Sequence, residues 1–425
     1  MMAPLPDLIL RDGMLADGSH ADIAVRAGHI VRIAPHIEQA GVATEELGGQ
    51  VVLPSFVDLH MHLDKAFTLD LTENTSGTLQ EAILRYGELS PRLTREGFVE
   101  RAIRTLRLCA AAGTTAVRTH VNVGAPRSAD GGARRGLVAL EALLEARERI
   151  RDLMDMQIVL LPEGNLAGSA ALRAVCEEGL RLGVDFVGGA PALDVDPTSA
   201  VESAFELAMR FDRDLDLHVD ESDDPAARTL PLIATLAIER GYAGRVTAGH
   251  CCSLAAIDQT DAARIIEKVA EARLTVVTLP SCNLYLQGRA DPHPIRRGLT
   301  RVKELMAAGV NVAAASDNIR DPFNPFGRGD LLQIADLLAH AAHLGSPSEQ
   351  ASVRDAIAAN PRACFSGLDA APLRGGLLRE GDPADLVVCA THAVADIIAA
   401  HPTRSLVLRR GRVIARTRTT RDIAF

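Results

Sequence analysis

Eight times between residues 51 and 318, a short run rich in aliphatic and β-branched residues ends on turn-forming or polar residues and gives way to a stretch with helical spacing. The runs are VVLPSFVDLHMH (51–62), TAVRTHVNV (115–123), MQIVLLPEG (156–164), VDFVGGAP (184–191), LDLHVDES (215–222), RVTAGHCC (245–252), LTVVTLPSCN (274–283) and VNVAAASDN (310–318). Between them apolar residues recur three and four apart, as at Leu137, Leu140, Leu143 and Leu144, or at Ala204, Leu207, Ala208 and Phe211. Strand-like runs alternating with helical ones are the mark of βα units, in which each helix carries the chain back so that successive strands pair in parallel. Eight such units predict an α/β chain closed into a (β/α)8 TIM barrel.

The two ends of the chain read differently. Residues 1–53 and 372–425 carry short alternating strands broken by glycine, and AVRAGHIVRIA (24–34) and VLRRGRVIA (407–415) share the pattern of a hairpin. The simplest packing joins both ends into one small composite β domain and leaves 54–371 to the barrel. A chain of 425 residues has room for both.

Composition narrows the partners. With 47% hydrophobic and 24% charged residues and no apolar run long enough for a bilayer, no membrane span is expected. The N-terminal MMAPLPDLILRDG shows no secretory pattern, and the seven cysteines are scattered without a C-x-x-C pair, so a reducing, cytoplasmic setting is expected. The net charge is −10, and the arginine pairs Arg134/Arg135, Arg296/Arg297 and Arg409/Arg410 stand apart, which argues against nucleic acid. A chain with no tryptophan and 3% aromatics also lacks the stacking platforms of a single-strand binder. A small free molecule is the partner that fits, and a homo-oligomer stays open.

Successive side chains of a strand point to opposite faces, so His60 and His62 of H-M-H point the same way and can hold one metal ion between them. His218, His250 and Asp317 fall at the C-terminal ends of the fifth, sixth and eighth runs, the rim on which barrel enzymes carry their chemistry. Three imidazoles and a carboxylate suit one zinc or iron(II) ion with a position left for water, whose pKa such an ion lowers from 15.7 towards about 7. Glu221, in HVDE just beyond His218, stands where a carboxylate would move protons between that water, a ring nitrogen and a leaving amine; the plainer reading is a solvated loop acid beside Asp223 and Asp224. His120 reads as a hydrogen-bonded barrel histidine, and the adjacent Cys251 and Cys252 as packing. His36 and Glu38 form an H-x-E, but no P-C-x-x-C follows, which excludes the other zinc deaminase architecture.

HMHLDKAFT (60–68), VRTHVNV (117–123), HVDESDD (218–224), GHCCS (249–253), NLYLQGRADPHPIRRGLTRVKELMAAGVNV (283–312) and SDNIRDPFNPFG (316–327) together resemble the cytosine deaminase branch of the amidohydrolase superfamily, over nearly the whole barrel. GDPADLVV (381–388) is similar to the returning strand of that superfamily's small domain. The resemblance implies His60, His62, His218 and Asp317 as ligands of one divalent metal, Glu221 as the proton-shuttling acid, and His250 as the histidine that orients the activated water without binding the ion. It implies hydrolytic deamination of an aminopyrimidine such as cytosine or isocytosine, with Asp317 accepting the water proton and Glu221 protonating the ring nitrogen before ammonia leaves. The alkylammelide hydrolases of triazine breakdown are also similar and share the SDNIRD-like run, so release of an alkylamine is the nearest alternative. A dihydropyrimidinase-type binuclear centre needs a lysine from the fourth strand, which here ends GGAPALD. A barrel turned binding module would be expected to have lost ligands, and none is lost.

Two departures from that branch bear on the substrate. Where it carries a glutamine after the third strand, this chain has LPEG with Glu163 at or beside the position. A glutamine offers a donor and an acceptor, whereas an ionised glutamate only accepts, so a ring presenting two N–H groups, as on the 2-amino edge of isocytosine, is expected in preference to cytosine. In a dry pocket the mismatch with the cytosine carbonyl costs about 1–3 kcal/mol. If the LPEG loop is one residue shorter, Glu163 is instead a neighbouring structural acid. Asn318 stands where the branch has a second aspartate, and either admits a ring substituent or caps the next loop. Gln287 and Phe323 match a substrate-loop residue and an aromatic lid, with loop and core as their plainer readings.

Overall fold

The computed structural model describes residues 5–125, 136–365, 374–420 and 422–424; Arg134, Arg135 and the expected domain boundary near 371 lie outside them. Five strands come first: β1 (Leu8–Met14), β2 (His20–Arg26), β3 (His29–Ala34), β4 (Ala43–Glu46) and β5 (Val51–Pro54). Eight more follow, β6 (Phe56–Met61), β7 (Thr114–Val123), β8 (Asp155–Pro162), β9 (Phe186–Gly189), β10 (Asp214–Val219), β11 (Val246–His250), β12 (Thr275–Thr278) and β13 (Asn311–Ala314). The chain ends with β14 (Leu386–Cys389), β15 (Arg404–Arg409) and β16 (Arg412–Arg416).

β6 to β13 lie side by side in sequence order, every pair parallel, as helical returns require. The ring closes just beyond β13, where Asp317 bridges Met61 and its N–H donates to the His60 carbonyl at 2.8 Å. This is the expected (β/α)8 barrel. The helix Gln259–Glu271 shows why the outer layer forms: the Asp258 side chain accepts from the N–H groups of Thr260 and Asp261, and Ala262, Ile265, Ile266 and Val269 bury one stripe.

The second sheet runs β16-β15-β14-β5-β1-β2-β3, with β4 on β1, so both ends of the chain share it as expected. Its two outer hairpins turn on Ala27–Gly28 and Arg410–Gly411, with φ of 49°, 83°, 47° and 73°. Two successive positive φ values give the turn whose twist matches that of the flanking strands. Arg362, buried, ties the two sheets by donating to Ser55 Oγ at 3.0 Å beside Asp385.

Two expected runs need correction. The first, 51–62, is two strands in two sheets: β5 pairs with β14, Ser55 intervenes, and β6 opens the barrel. The seventh, 274–283, stops as a strand at Thr278, because Pro280 opens the helix Pro280–Leu286, where its missing N–H costs nothing. No helix among the described residues is long and apolar enough to cross a membrane.

Candidate active site

The strand ends of the barrel bring the expected residues together. His60 lies in β6, His62 follows it, His218 lies in β10, His250 ends β11 and Asp317 follows β13. His62 Nε2 is 3.1 Å from His218 Nε2 and 3.3 Å from Asp317 Oδ1, which is also 3.6 Å from His60 Nε2. His250 stacks against His218 with ring centroids 5.1 Å apart. His250 and Asp317 adopt left-handed backbone, φ 68° and 60°, as does Asp220 (φ 48°) between His218 and Glu221. Such turns are uncommon for non-glycine residues and cost on the order of 1–3 kcal/mol each. They swing the chain sharply at the rim, and Asp220 secures its turn by accepting from Thr229 N–H, Thr229 Oγ1 and Leu230 N–H at 2.9, 2.7 and 3.0 Å.

Burial governs the electrostatics. It holds the His60, His62 and His218 imidazoles well below their ordinary range, with neighbouring imidazoles, and for His62 and His218 also Lys65, pressing the same way. His250 is pushed down to about 3 by the same desolvation. The Asp317 carboxyl is pushed up to about 7 by burial, and Glu221 well above the carboxylate range by burial and by Asp317. Neutral imidazoles are metal ligands in waiting. Both nitrogens of His60, Nδ1 of His218 and both oxygens of Asp317 are buried without a hydrogen-bond partner. Unsatisfied donors and acceptors at that density are costly unless a further group completes them. Overlapping sets His60–His62–Asp317 and His60–His218–His250 each bring their donor atoms within 4.8 Å, so this constellation fits a divalent cation.

Glu221 Oε1 lies 3.5 Å from His250 Nδ1, and the amide of Asn283 donates to that nitrogen at 3.0 Å. With Nδ1 accepting, the proton of neutral His250 sits on Nε2. A third set, His60–His120–Asp216, lies deeper. His120 was expected to be hydrogen-bonded; it is buried 3.4 Å from Asp216 Oδ1, yet neither ring nitrogen has a partner. Cys251 and Cys252 are buried, and burial raises both thiols, in keeping with packing.

A cavity of about 590 Å³ opens over His62, His218, Glu221, His250 and Asp317. Glu163, Asn318 and Phe323 also line it. Glu163 is on the wall but exposed, not in a dry pocket, so the cost of a mismatch there falls to the low end of the expected range until a ligand excludes water. Asn318 both lines the cavity and braces the loop, its amide donating to Asp321 Oδ2 at 2.7 Å. Phe323 is buried against Tyr86. Gln287 is not on the cavity wall: it caps the helix begun by Pro280, and its Cβ lies against Gly298. Sequence reasoning missed Lys65, Asn122 and Asn283. The signal for Lys65 was an adjacent acid–base pair set in the apolar run LDKAF; Asn122 and Asn283 carry none.

The model of the amidohydrolase family matches residues 77–415. The chain is 33% identical over 407 residues to the pterin deaminase of Rhizobium rhizogenes (strain K84 / ATCC BAA-868), covering 93% of this chain and 88% of that one. It is 28% identical over 425 residues to the N-isopropylammelide isopropyl amidohydrolase of Pseudomonas sp. (strain ADP), covering 96% and 97%. The crystal structure of 5-methylcytosine deaminase from Klebsiella pneumoniae, liganded with phosphonocytosine, superimposes with a TM-score of 0.88 at 30% identity, covering 98% of this chain and 100% of that one.

Proposed function

The chain belongs to the amidohydrolase family and is a hydrolase acting on C–N bonds of cyclic compounds, and we propose that it deaminates a ring carrying the 2-amino-4-oxopyrimidine edge of isocytosine, alone or fused to a second ring. The family and the histidine–aspartate groups point to a divalent metal site. In this reading His60, His62, His218 and Asp317 hold one ion, zinc or iron(II), which when bound supplies a water acidified towards about pH 7. The rest is done by the chain. Asp317 accepts the proton of the attacking water. The Nε2–H of His250 orients that water toward the amine-bearing carbon. Glu221, whose protonated form burial favours, would deliver its proton to the ring nitrogen; the proton held by Asp317 would then pass to the amine, which leaves as ammonia while the new hydroxyl returns its proton to Glu221 and becomes the carbonyl.

The observation that carries this reading is the meeting, in one cavity, of that catalytic group with an acceptor-only carboxylate, Glu163. A pterin contains the isocytosine edge fused to a pyrazine ring, and a cavity of about 590 Å³ has room for two rings. The similarity to an alkylammelide hydrolase over 96% of the chain favours one second reading, release of an alkylamine from a triazine. Steady-state kcat/KM for isocytosine, pterin, cytosine and N-isopropylammelide, with ammonia and isopropylamine measured separately, tests both. We expect isocytosine and pterin above cytosine, with Glu163→Gln moving preference towards cytosine. Cytosine preferred by the natural protein and unmoved by Glu163→Gln would overturn the reading, and isopropylamine as the dominant product would establish the second.

A further inference from the structure

We infer that Asn122 is a positioning residue that fixes which way Glu163 presents its carboxylate, and thereby sets the choice between donor-edged and acceptor-edged rings. The inference rests on the function proposed above. Asn122 lies next to last in β7, and its side chain bridges two charges: Lys65 Nζ donates to Oδ1 at 2.7 Å, and Nδ2 donates to Glu163 Oε1 at 3.1 Å. The sense of this relay is set by chemistry. An ammonium only donates and a carboxylate only accepts, so the amide fits between them one way round.

The relay is anchored behind. Lys65 is buried and donates to both oxygens of Asp64 at 3.3 and 3.1 Å. Asp64 Oδ2 also accepts the backbone N–H of Asn122 at 3.1 Å and the Tyr86 hydroxyl at 3.4 Å. One carboxylate therefore holds both the backbone of residue 122 and the cation that orients its side chain. Glu163 is in turn fastened to β7 by its own N–H, which donates to the Val123 carbonyl at 2.8 Å. The second oxygen is located by a glycine: a Cβ at Gly124 would stand 2.7 Å from Glu163 Oε2. Oε1 is tied to an amide, and Oε2 occupies room that a side chain at 124 would take. An exposed glutamate otherwise samples several rotamers; this one meets the ligand already turned.

The test uses Asn122→Asp, which keeps the shape and the oxygen that Lys65 needs but removes the N–H that holds Glu163. Gly124→Ala serves as a second variant that crowds Oε2 while changing no polar group. The readout is the ratio of kcat/KM for isocytosine to that for cytosine, with kcat and KM resolved separately. We expect either substitution to lower the ratio about tenfold, mainly through KM for isocytosine, the size of one lost hydrogen bond. Combined with Glu163→Gln, Asn122→Asp should add little, because both act through one carboxylate. If Glu163→Gln moves the ratio while Asn122→Asp and Gly124→Ala leave it at the natural value, Asn122 does not position Glu163 and this inference alone falls. If the natural protein turns over neither ring, the proposed function falls and takes the inference with it.

Discussion

Two layers of the same strands bury charge in opposite ways. Arg118 precedes His120 by two positions on β7, and Asp216 precedes His218 by two on β10, so in each strand the two side chains share a face. In the lower layer Arg118 donates to Asp216 Oδ2 at 2.8 Å, Gln157 Oε1 at 3.0 Å, Thr247 Oγ1 at 3.2 Å and the Cys364 carbonyl at 2.7 Å. In the upper layer His60 and Asp317 have no hydrogen-bond partner for any side-chain nitrogen or oxygen. Every nitrogen of Arg118 is paired within the chain, though Oδ1 of Asp216 is not, whereas His60 and Asp317 have all their side-chain nitrogens and oxygens open. Burial alone does not mark the functional residues, since both layers are equally dry; open polar atoms on residues that also line the cavity, His218, His250 and Asp317, do.

The sharpest way to break this contrast is to remove an upper-layer ligand. Asp317→Ala should abolish turnover and weaken metal binding through loss of a ligand while leaving the barrel folded, and activity assays with elemental analysis and circular dichroism check this. Two metals per chain at full activity would refute a single site. The lower layer should respond in the opposite sense. Arg118→Met leaves Asp216 buried and unpaired, and is expected to cost about 3–5 kcal/mol in denaturant unfolding. Arg118→Met combined with Asp216→Leu should recover most of that loss, whereas a neutral single substitution would show that the pair does not hold the barrel interior. Between the layers in effect stands Glu221→Gln, which keeps fold and metal and should lower kcat by about 10²-fold, the usual share of general acid–base catalysis. Near-normal turnover would make Glu221 a loop acid.

Asp321 sharpens the comparison most finely, being a buried carboxylate served by neutral donors alone: Asn318 Nδ2 and the N–H groups of Phe323 and Asn324, at 2.7, 2.9 and 3.1 Å. Burial outweighs them and pushes its carboxyl up to about 6. A group titrating near 4 unfolded and near 6 folded takes up a proton on folding between those values. Its contribution to stability is therefore full below about pH 4 and is lost as pH rises through about 6, a span worth roughly 2–3 kcal/mol. Unfolding midpoints at pH 4 to 7 should show this decline in the natural protein and a flatter curve in Asp321→Asn; parallel curves would mean that Asp321 does not titrate in that range.

The barrel and the principal constellation were legible because each rests on a periodic rule. Period-two alternation puts His60 and His62 on one face, and the βα order sends His218, His250 and Asp317 to one rim. What was not legible depends on pairings that no local pattern encodes. Pro54 and Phe56 belong to different sheets although VVLPSFVDL reads as one apolar run. Arg118 and Asp216 meet across 98 positions, and Lys65 reaches Asn122 across 57. Gln287 lies off the cavity wall, since a sequence match carries no information on which way the residue capping a helix faces.

The shared terminal sheet has a consequence for how the protein is made. β5 takes one of its neighbours from β14, with Leu53 opposite Val387. At about 5–20 residues per second, ribosomal synthesis needs on the order of tens of seconds to carry the chain from one to the other, whereas a hairpin forms in about microseconds. Throughout that interval the apolar edge VVLP stands open, directly ahead of the strand that carries His60, and an open edge is a template for pairing with a neighbouring nascent chain. Arrival of β14 thus retires the hazard that synthesis order creates, and a product terminated after β13 would keep that edge exposed for its whole lifetime.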